Sequence, residues 1–506
     1  MTPQRHIPQL DRPAVFGPSI WAYLSLSAAL VLSACAERGV DSPALAQLDT
    51  RAWTSPNNGL QDRLQSVLST KKSAPNAELN VSNWWASLGN AELSALVAQA
   101  LAHNPSLSLA KTRIEKAQSL AGLSRSATLA QAEVGLDLSR ELYSKTGIFP
   151  PPIGGNTINM GNLQANLNWN PDLMGARAAL LSAAIGEVKA QEAQSHYAQL
   201  QLATQVALTF INLASWVDQL DCASQQRQLQ LDEVHLLQER VERGLDNRIE
   251  LTQAQSDLKE RDSLLNDMEQ QVRTNQHQLA VLTAQNPLDL EKLTPHLDSL
   301  TPPQWPSPPG LNLLSQRADL RAAQWRVQAA LGQVESAQLN FYPNVNLGLF
   351  AGYNTINLNQ LLQGQSLQYG LAPSVSLPIF DGGRLRSQLF GKESERDSAI
   401  AQYNETLLEA VKECANALSE LQSIAPQLIQ NTDALALARK AQNLASERSQ
   451  QGLSNLQPVL SAKRASLNKA QALVTLRAKL LSAHVKLFNA LGGGYSEANA
   501  LASPTH

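Results

Sequence analysis

A chain of 506 residues can hold two or three ordinary domains and can bury a large core. Charged residues make up only 16% of it, against roughly 25% in an average soluble protein. The net charge of −3 gives no electrostatic basis for nucleic acid as a partner, and the three cysteines lack the Cys-x-x-Cys spacing of zinc sites. We therefore expect long, weakly charged helices packed against each other, with no metal and no cofactor.

The first 34 residues are typical of a targeting segment. Two arginines precede an apolar stretch from Ile20 to Ala34, which is shorter than the roughly 20 residues of a membrane-spanning helix and fits a secretory signal. The stretch ends in Leu-Ser-Ala-Cys35, which resembles the lipobox of bacterial lipoproteins. That resemblance implies a signal peptide over 1–34, acylation of Cys35 and a lipid-anchored segment over 35–89. The alternative is an ordinary cleaved signal with an incidental cysteine.

The rest of the chain contains an internal two-fold repeat. We place copy one at 90–300, a Pro-rich linker at 301–310, copy two at 311–494 and a C-terminal tail at 495–506. Three sets of residues recur in the same order at nearly equal offsets: Leu107, Ala110, Arg113 and Ala117 as Leu320, Ala323, Arg326 and Ala330; Pro171, Gly175 and Arg177 as Pro378, Gly382 and Arg384; Gly244 and Asn247 as Gly452 and Asn455. One such match could arise by chance, but three in order support a repeat.

Each copy begins with a predicted helix, near Asn90 to Ala130 in copy one and near Leu311 to Asn340 in copy two. Two strands follow. A very long helix then runs from about Gly175 to Arg243, and its counterpart from about Gly383 to Gln451. At 1.5 Å per residue, each of these would reach on the order of 100 Å.

The strands are predicted from apolar residues at every second position, which give a strand one apolar face. In copy one these residues are Val134, Leu136 and Leu138, then Leu163, Ala165, Leu167 and Trp169. In copy two they are Val345, Leu347 and Leu349, then Tyr369, Leu371, Val375 and Leu377.

Each long helix is predicted to turn back on itself at a glycine, Gly244 or Gly452, because glycine enters the left-handed C-cap conformation without a Cβ penalty. Asn247 with Glu250 can then form a capping box, and Pro458 is tolerated in a first helical turn. The return helices carry an apolar residue at every seventh position: Leu251, Leu258, Leu265, Val272 and Leu279, and Leu460, Leu467, Val474, Leu481 and Phe488. This spacing predicts helical hairpins packed along neighbouring helices over their whole length.

Four strands cannot close a membrane barrel, since a bilayer tolerates no unpaired strand edge. If the strands are in a membrane, several chains must pool them. Three chains would supply twelve strands, an even number within the range of outer-membrane barrels, and would bring their long helices together as a hollow cylinder. The number three does not follow from the spacing alone.

The chain resembles the TolC/OprM family of outer-membrane efflux proteins, in its lipoprotein (NodT-like) branch. The resemblance covers nearly the whole mature chain. It is carried by the strand-to-helix junction Leu377-Pro378-Ile379-Phe380-Asp381-Gly382-Gly383-Arg384, by Asp319-Leu320-Arg321-Ala322-Ala323, by Phe341-Tyr342-Pro343 and by Leu491-Gly492-Gly493-Gly494-Tyr495.

This resemblance implies an α+β membrane protein: a homotrimer with a long α-helical coiled-coil barrel in the periplasm and a shared twelve-stranded antiparallel transmembrane β-barrel. It also implies docking to a periplasmic membrane-fusion adaptor and an inner-membrane pump of the RND type. The chain would be the passive exit duct for drugs, solvents or metals. An outer-membrane tunnel for type I protein secretion stays open as an alternative.

The family's functional positions map onto the hairpins and the junction. Adaptor contacts at the tips correspond to Arg243, Gly244, Leu245, Gln451, Gly452 and Leu453. The periplasmic constriction corresponds to Asp246, Arg248 and Glu250. The strand-to-helix junction corresponds to Pro378, Phe380, Gly382, Gly383 and Arg384. Copy two departs from the family pattern, because Ser454, Pro458 and Ser461 stand where other members often have Arg and Asp, so a gate latched by Arg–Asp pairs is in doubt.

Two other classes of protein are disfavoured. The eight histidines are scattered, and the chain has no His-Glu-x-x-His, no Gly-x-Ser-x-Gly and no phosphate-binding glycine loop, so we expect no catalytic residues. A non-conducting coiled-coil lipoprotein would not need alternating strand segments at matched places in both copies.

Overall fold

A computed structural model describes residues 43–49, 62–64, 81–303 and 311–492. Cys35, the predicted signal peptide, most of the predicted linker and the predicted C-terminal tail lie outside these residues. The described chain divides into two compact units. The strand unit comprises Leu123–Ser182 and Ala330–Asp397, and the helical unit comprises the described residues of Leu45–Gly122, Ala183–Ala329 and 398–492.

The regular elements occur in the predicted order. They are α1 (Ala91–His103), α2 (Pro105–Ser126), β1 (Gln131–Leu142), β2 (Thr157–Trp169), α3 (Ala176–Glu242), α4 (Arg248–Thr283), α5 (Ala318–Leu339), β3 (Asn344–Thr355), β4 (Leu367–Ser376), α6 (Arg384–Gln450) and α7 (Gln457–Ala490). Short 3₁₀ helices lie at Val81–Leu88, Pro287–Leu290, Leu297–Ser299, Leu311–Gln316, Leu358–Gln360 and Gly364–Ser366. The two long helices, α3 and α6, each have 67 residues.

The first helix of each copy is shorter than predicted. In copy one, Asn104 is extended, with φ −68° and ψ 127°, and separates α1 from α2. The physical reason is Pro105, whose ring disfavours helical backbone at the residue before it. In copy two the predicted helix begins as a 3₁₀ turn, and α5 starts only at Ala318. The prediction of Leu377 in a strand was also wrong, because β4 ends at Ser376.

The four strands form one antiparallel sheet in the order β1-β2-β3-β4. Its register brings the predicted apolar residues onto one face. One row across the sheet consists of Leu136, Leu163, Tyr353 and Leu367, and the neighbouring row of Val134, Ala165, Ala351 and Tyr369. Side chains alternate between the two faces along each strand, so the residues between these rows project from the opposite face.

The helical unit packs around the middle of α3. Buried residues between Leu202 and Val217 contact α1, α4 and α7, and Trp84 stacks on Phe488 with ring centroids 5.5 Å apart. Among the described helices only α3 contains an 18-residue window apolar enough to cross a membrane, with mean hydropathy 1.3. Two thirds of that window is buried, which is typical of a core helix. All ten heptad positions of α4 and α7 are buried or half-buried, as predicted.

Candidate functional site

The two faces of the sheet differ in chemistry. On the apolar face, large side chains are exposed: Val134 is 74% exposed, Leu371 62% and Tyr369 79%. The opposite face carries polar side chains that contact each other, with Gln368 Nε2 3.3 Å from Asn162 Oδ1 and 3.4 Å from Gln164 Oε1. A sheet with these two faces suits a wall between lipid and water.

The sheet is open at both edges. Within the described chain, β1 pairs only with β2, and β4 pairs only with β3. Each outer edge therefore presents a row of backbone N–H and C=O groups, which is a template for pairing with another strand. In hydrocarbon, every such group must find a hydrogen-bond partner.

The copy-two junction between β4 and α6 is held by Asp381. Its carboxylate accepts the backbone N–H of Gly383 at 3.0 Å and that of Leu385 at 2.9 Å. These hydrogen bonds, with Arg384 nearby, lower the pKa of Asp381 below its ordinary value. The chain can make this turn because Gly382 and Gly383 have φ of +66° and +90°, a region that side chains with a Cβ rarely enter.

The copy-one junction, between β2 and α3, is also held by an aspartate, but this aspartate stands at a different distance from the preceding proline. Asp172 accepts the N–H groups of Arg177 at 3.1 Å and Ala178 at 2.8 Å, at the start of α3. The Arg177 guanidinium donates to the carbonyl of Ala127. Asp172 directly follows Pro171, whereas Asp381 comes three residues after Pro378. Both junctions use an aspartate to satisfy free N–H groups at a helix N-terminus.

Aromatic side chains lie exposed at the end of the sheet where the helices begin. Trp169 is 41% exposed on the apolar face, Tyr342 39% and Phe380 92%. Pro378 precedes Phe380 in the same connection. Exposed aromatic residues at strand ends are typical of the girdles of membrane barrels, so Phe380 suits an interface with lipid headgroups.

Both hairpin tips end their long helix in the same hydrogen-bonded turn. The N–H of Leu245 donates to the carbonyl of Arg240 at 2.8 Å, and that of Leu453 donates to Arg448 at 2.9 Å. Gly244 and Gly452 lie between, with φ of +70° and +71°. This is the Schellman motif, which satisfies carbonyls at a helix C-terminus. The predicted glycine turns are confirmed.

The predicted contact residues at the tips are exposed. Leu245 is 68% exposed and Leu453 67%. Arg243 and Gln451, which precede the two glycines, are exposed as well. An exposed leucine on a hydrogen-bonded turn suits contact with a partner, and this assignment stays a prediction.

The three residues of the predicted constriction differ in environment. Asp246 forms an ion pair with Arg240 across the first tip, at 2.9 Å, and its side chain is only 16% exposed. Arg248 and Glu250 lie in the exposed first turn of α4. Asn247 caps that turn, since its Oδ1 accepts the N–H groups of Ile249 and Glu250. Of the three, only Arg248 and Glu250 remain exposed for an ionic ring.

A polar network that the sequence reasoning missed joins α3 to the first turns of α7. Arg464 donates to the carboxylate of Glu233 and, at 3.1 Å, to Gln230 Oε1. Gln457 Nε2 donates to the other oxygen of Glu233 at 3.1 Å. Glu233 is buried, so these hydrogen bonds stabilise its charge. The network ties the second hairpin to the first within one chain.

Arg317 is a second missed residue, at the start of α5. Its guanidinium donates twice to Asp319 and once each to Glu413 and the carbonyl of Ala490, at 2.7–3.1 Å. The two carboxylates raise the pKa of Arg317 despite the opposing effect of burial. A signal was available, because Arg317 lies two residues before the Asp319 motif, at the position that corresponds to Asn104.

A polar cleft of about 670 Å³ lies within the helical unit, lined by α3, α4, α6 and α7. Its walls include Gln205, Glu413 and Asn416, and Lys486 pairs with Glu420 beside it at 3.0 Å. Sites for drug-like molecules are lined mostly by apolar and aromatic side chains. This cleft therefore does not suit such a ligand.

Asp218, Asp221 and His296 place ligand atoms within 4.8 Å of one another. His296 Nδ1 lies 2.7 Å from Asp218 Oδ1, and the second oxygen of Asp218 accepts the N–H of Leu297 at 3.0 Å. This pairing raises the pKa of His296. The contacts of Asp218 with His296 and Leu297 hold the segment after α4 against α3.

The N-terminal segment is held on α6. Asn404 accepts the N–H of Leu48 at 2.8 Å and donates to the carbonyl of Ala46 at 3.0 Å. Leu48 packs beside Tyr403 and Leu407, and Leu64 is fully buried against a neighbouring part of the core. A part of the predicted 35–89 segment is thus fastened to the helices.

The family model described as outer membrane efflux protein matches residues 96–285 and 311–493, well over half of the chain. The two matched stretches fit the internal repeat.

Named relatives and solved structures agree with this match. The multidrug resistance outer membrane protein MdtQ of Escherichia coli O6:H1 is 27% identical over 92% of this chain and 96% of its own length. The crystal structure of the outer membrane protein VceC of Vibrio cholerae is 30% identical, covers 82% of this chain and 99% of its own, and superposes with a TM-score of 0.75. The CmeC outer membrane channel of Campylobacter jejuni, 21% identical, covers 91% and 95% with a TM-score of 0.78 and shares the fold.

Proposed function

We propose that this chain, which belongs to the outer membrane efflux protein family, forms a homotrimeric exit duct through which a tripartite pump expels small molecules. Membership makes it an outer-membrane efflux channel. Channels of this family are trimers that work within tripartite efflux systems. Because relatives are named for multidrug resistance, we assign this chain to drug efflux rather than to protein secretion.

The main evidence for this proposal is the open sheet. Its exposed apolar face belongs in lipid, yet its two free edges cannot remain there unpaired. Pairing β4 of one chain with β1 of the next removes both edges, and three chains then close twelve strands. The polar face, with Asn162, Gln164 and Gln368, would line a water-filled lumen.

The hairpin tips are the proposed docking surface for a periplasmic membrane-fusion adaptor, which would connect the duct to an inner-membrane pump of the RND type. Leu245 and Leu453 support this, because both present an exposed apolar side chain on a hydrogen-bonded turn. Arg248 and Glu250 are the proposed charged constriction beside the first tip.

Acylated Cys35 is the proposed lipid anchor, and it would hold the chain to the outer membrane in addition to the barrel. The Leu-Ser-Ala-Cys35 sequence supports this role, and the hydrogen bonds of Asn404 hold the segment at 46–48 on α6. We assign the chain no catalytic activity, because its family consists of channels.

Reconstitution tests this function. Purified protein in planar bilayers should conduct ions in single-channel steps, migrate as a trimer on unboiled gels and restore drug resistance to a strain that lacks the gene. The matched variants Leu245→Ala and Leu453→Ala should keep full conductance and lose resistance, because they alter docking alone. Protein that is monomeric and silent in bilayers would refute the duct. Conducting protein whose leucine variants restore full resistance would refute only the docking surface.

A further inference from the structure

The connection between β3 and β4, residues 356–366, combines exposed apolar side chains with an absence of charge. Leu362 is 73% exposed and Ile356 56%. No charged residue and no histidine occurs between Glu335 and Asp381. The corresponding connection between β1 and β2 contains Lys145, and Arg140 and Glu141 lie near the end of β1. The loop itself, residues 356–366, has eleven residues, and none of them is charged.

The loop folds back onto the apolar side of the sheet. A Cβ placed on Gly161 would lie 2.8 Å from Leu358 Cδ2 and 3.2 Å from Leu361 Cδ1. Gly161 pairs with Leu138 of β1 and Thr355 of β3, in the rows whose side chains form the apolar face. The two leucines therefore extend that face beyond the end of β3.

In a transmembrane barrel built from this sheet, the loop begins at the height of the membrane boundary. A tilted strand of about 9–11 residues crosses a bilayer, and β3 has 12 residues. Residues after Thr355 thus start at the outer boundary of the hydrocarbon. The β1–β2 hairpin continues further, because Thr157–Met160 of β2 lie beyond Gly161; at 3.3 Å per residue this adds about 13 Å along the strand.

Several polar groups of the loop are hydrogen-bonded within the loop or to the end of β3. Backbone N–H groups of Leu361 and Ser366 donate to the carbonyls of Leu358 and Gln363. The Ser366 hydroxyl donates to the carbonyl of Gln360 at 2.8 Å, and the N–H of Asn359 donates to the side chain of Asn357 at 3.3 Å. Internal pairing is what a segment at the edge of the hydrocarbon requires, since water is scarce there.

We propose that residues 356–366 form a lipid-contacting foot, which lies at the boundary between headgroups and acyl chains of the outer leaflet, with Leu362 and Ile356 in contact with lipid. The inference rests on the proposed function in one respect: the sheet must be the wall of a transmembrane barrel. A loop in water or against another protein chain would leave these side chains away from lipid.

Site-directed fluorescence tests the foot. The background protein carries Cys222→Ser and Cys414→Ala and retains Cys35. Three single variants of it, Leu362→Cys, Val134→Cys and Ile148→Cys, are each labelled with bimane. The trimers are reconstituted into phosphatidylcholine vesicles whose chains carry bromine near the headgroup, and iodide is added in a separate measurement. Val134 is the lipid control on the sheet, and Ile148, which is 90% exposed in the longer hairpin, is the water control.

The foot predicts strong bromine quenching at positions 362 and 134, and quenching by iodide alone at 148. Gly161→Val should shift position 362 from bromine to iodide quenching, because the added side chain displaces Leu358 and Leu361. Iodide quenching alone at 362, or no quenching by either agent, would overturn the foot while the barrel stands. Absence of bromine quenching at 134 would instead refute the barrel.

Discussion

The two copies of the repeat differ in how they bind the carbonyl groups at the end of the return helix, α4 or α7, which we call the base of each hairpin. The contact comes from corresponding positions in the two copies but uses different chemistry. In copy one, the Asn104 amide donates to the carbonyl of Leu282 at 2.8 Å, near the end of α4. In copy two, Arg317 donates to the carbonyl of Ala490 at 2.8 Å, at the end of α7. The last carbonyls of a helix have no intrahelical partner. A neutral amide meets that need in one copy, and a buried guanidinium with two carboxylates meets it in the other.

At the hairpin tips, copy one is the copy that has the charged contact. Copy one joins its tip with the ion pair between Arg240 and Asp246. The corresponding residues of copy two, 208 positions later, are Arg448 and Ser454. Within the described part of the chain Arg448 makes no ion pair. Copy one thus places its charge pair at the tip and copy two at the base. The repeat conserves the backbone turns, while the ionic contacts that support them are exchangeable.

The largest effect should come from removing the charge at the base of copy two. Arg317→Met leaves Asp319 and Glu413 without their buried partner and should cost about 3–5 kcal/mol of unfolding free energy. The matched change in copy one, Asn104→Ala, removes neutral hydrogen bonds and should cost about 1–2 kcal/mol. Urea unfolding of the detergent-solubilised trimer measures both. Equal losses would contradict the comparison.

A pH effect should distinguish the same two hairpins. His484 of α7 corresponds to Gln276 of α4, whose amide donates to the carbonyls of Glu291 and Leu293 at 3.0 Å. Burial lowers the pKa of His484 from 6.5 to about 4, and its Nδ1 has no hydrogen-bond partner among the described residues. Between these two pKa values, the imidazole of His484 therefore binds a proton in the unfolded chain and stays neutral in the folded chain. The free energy of unfolding should have its full value above pH 6.5 and should fall by about 3 kcal/mol as the pH approaches 4.

His484→Gln, which installs the residue of copy one, should flatten this decline when urea midpoints are compared across that pH range. Asp381→Asn is the control. The pKa of Asp381 lies below 3.8, so its loss should leave the slope between pH 6.5 and 4 unchanged. A decline that persists in the His484 variant would assign the pH dependence to another group.

The glycine turns should respond equally in both copies. Gly244→Ala and Gly452→Ala each force a Cβ into the left-handed region and should each cost about 1 kcal/mol. Nothing lies within 4 Å of the added Cβ at either site, so the cost is conformational and owes nothing to packing. Thermal dissociation of the trimer is a suitable measurement. A marked difference between the two would mean that the tips are supported unequally.

The smallest effect should come from exchanging the tip charges. Asp246→Ser removes a pair whose arginine is 38% exposed and should cost about 0.5 kcal/mol. Ser454→Asp places a carboxylate where it can pair with Arg448, and we expect a gain of similar size that disappears in high salt. Urea unfolding at two salt concentrations, with the double variant included, separates the pairs. Destabilisation by Ser454→Asp would show that tip two has a different geometry.

Much of the fold followed from local patterns. The turns at Gly244 and Gly452, the four strands and the heptad positions were predicted correctly, because helix ends, strand alternation and seven-residue spacing are recorded in neighbouring residues. The break at Asn104 was missed, although Pro105 is a local signal for it. The domain boundaries and the roles of Cys35, the tip residues and Glu250 remain predictions, since they depend on lipid, partner chains or the assembled trimer.

The sequence by itself determined which segments form helices, strands and turns, and that four strands per chain are too few to enclose a pore. Only the tertiary structure decided which charges meet. Glu413 lies 96 residues from Arg317, and Leu358 lies almost 200 residues from Gly161. Backbone conformation depends on a few consecutive residues, whereas the partner of a buried charge or a loop leucine depends on distances through space, which the order of residues does not record.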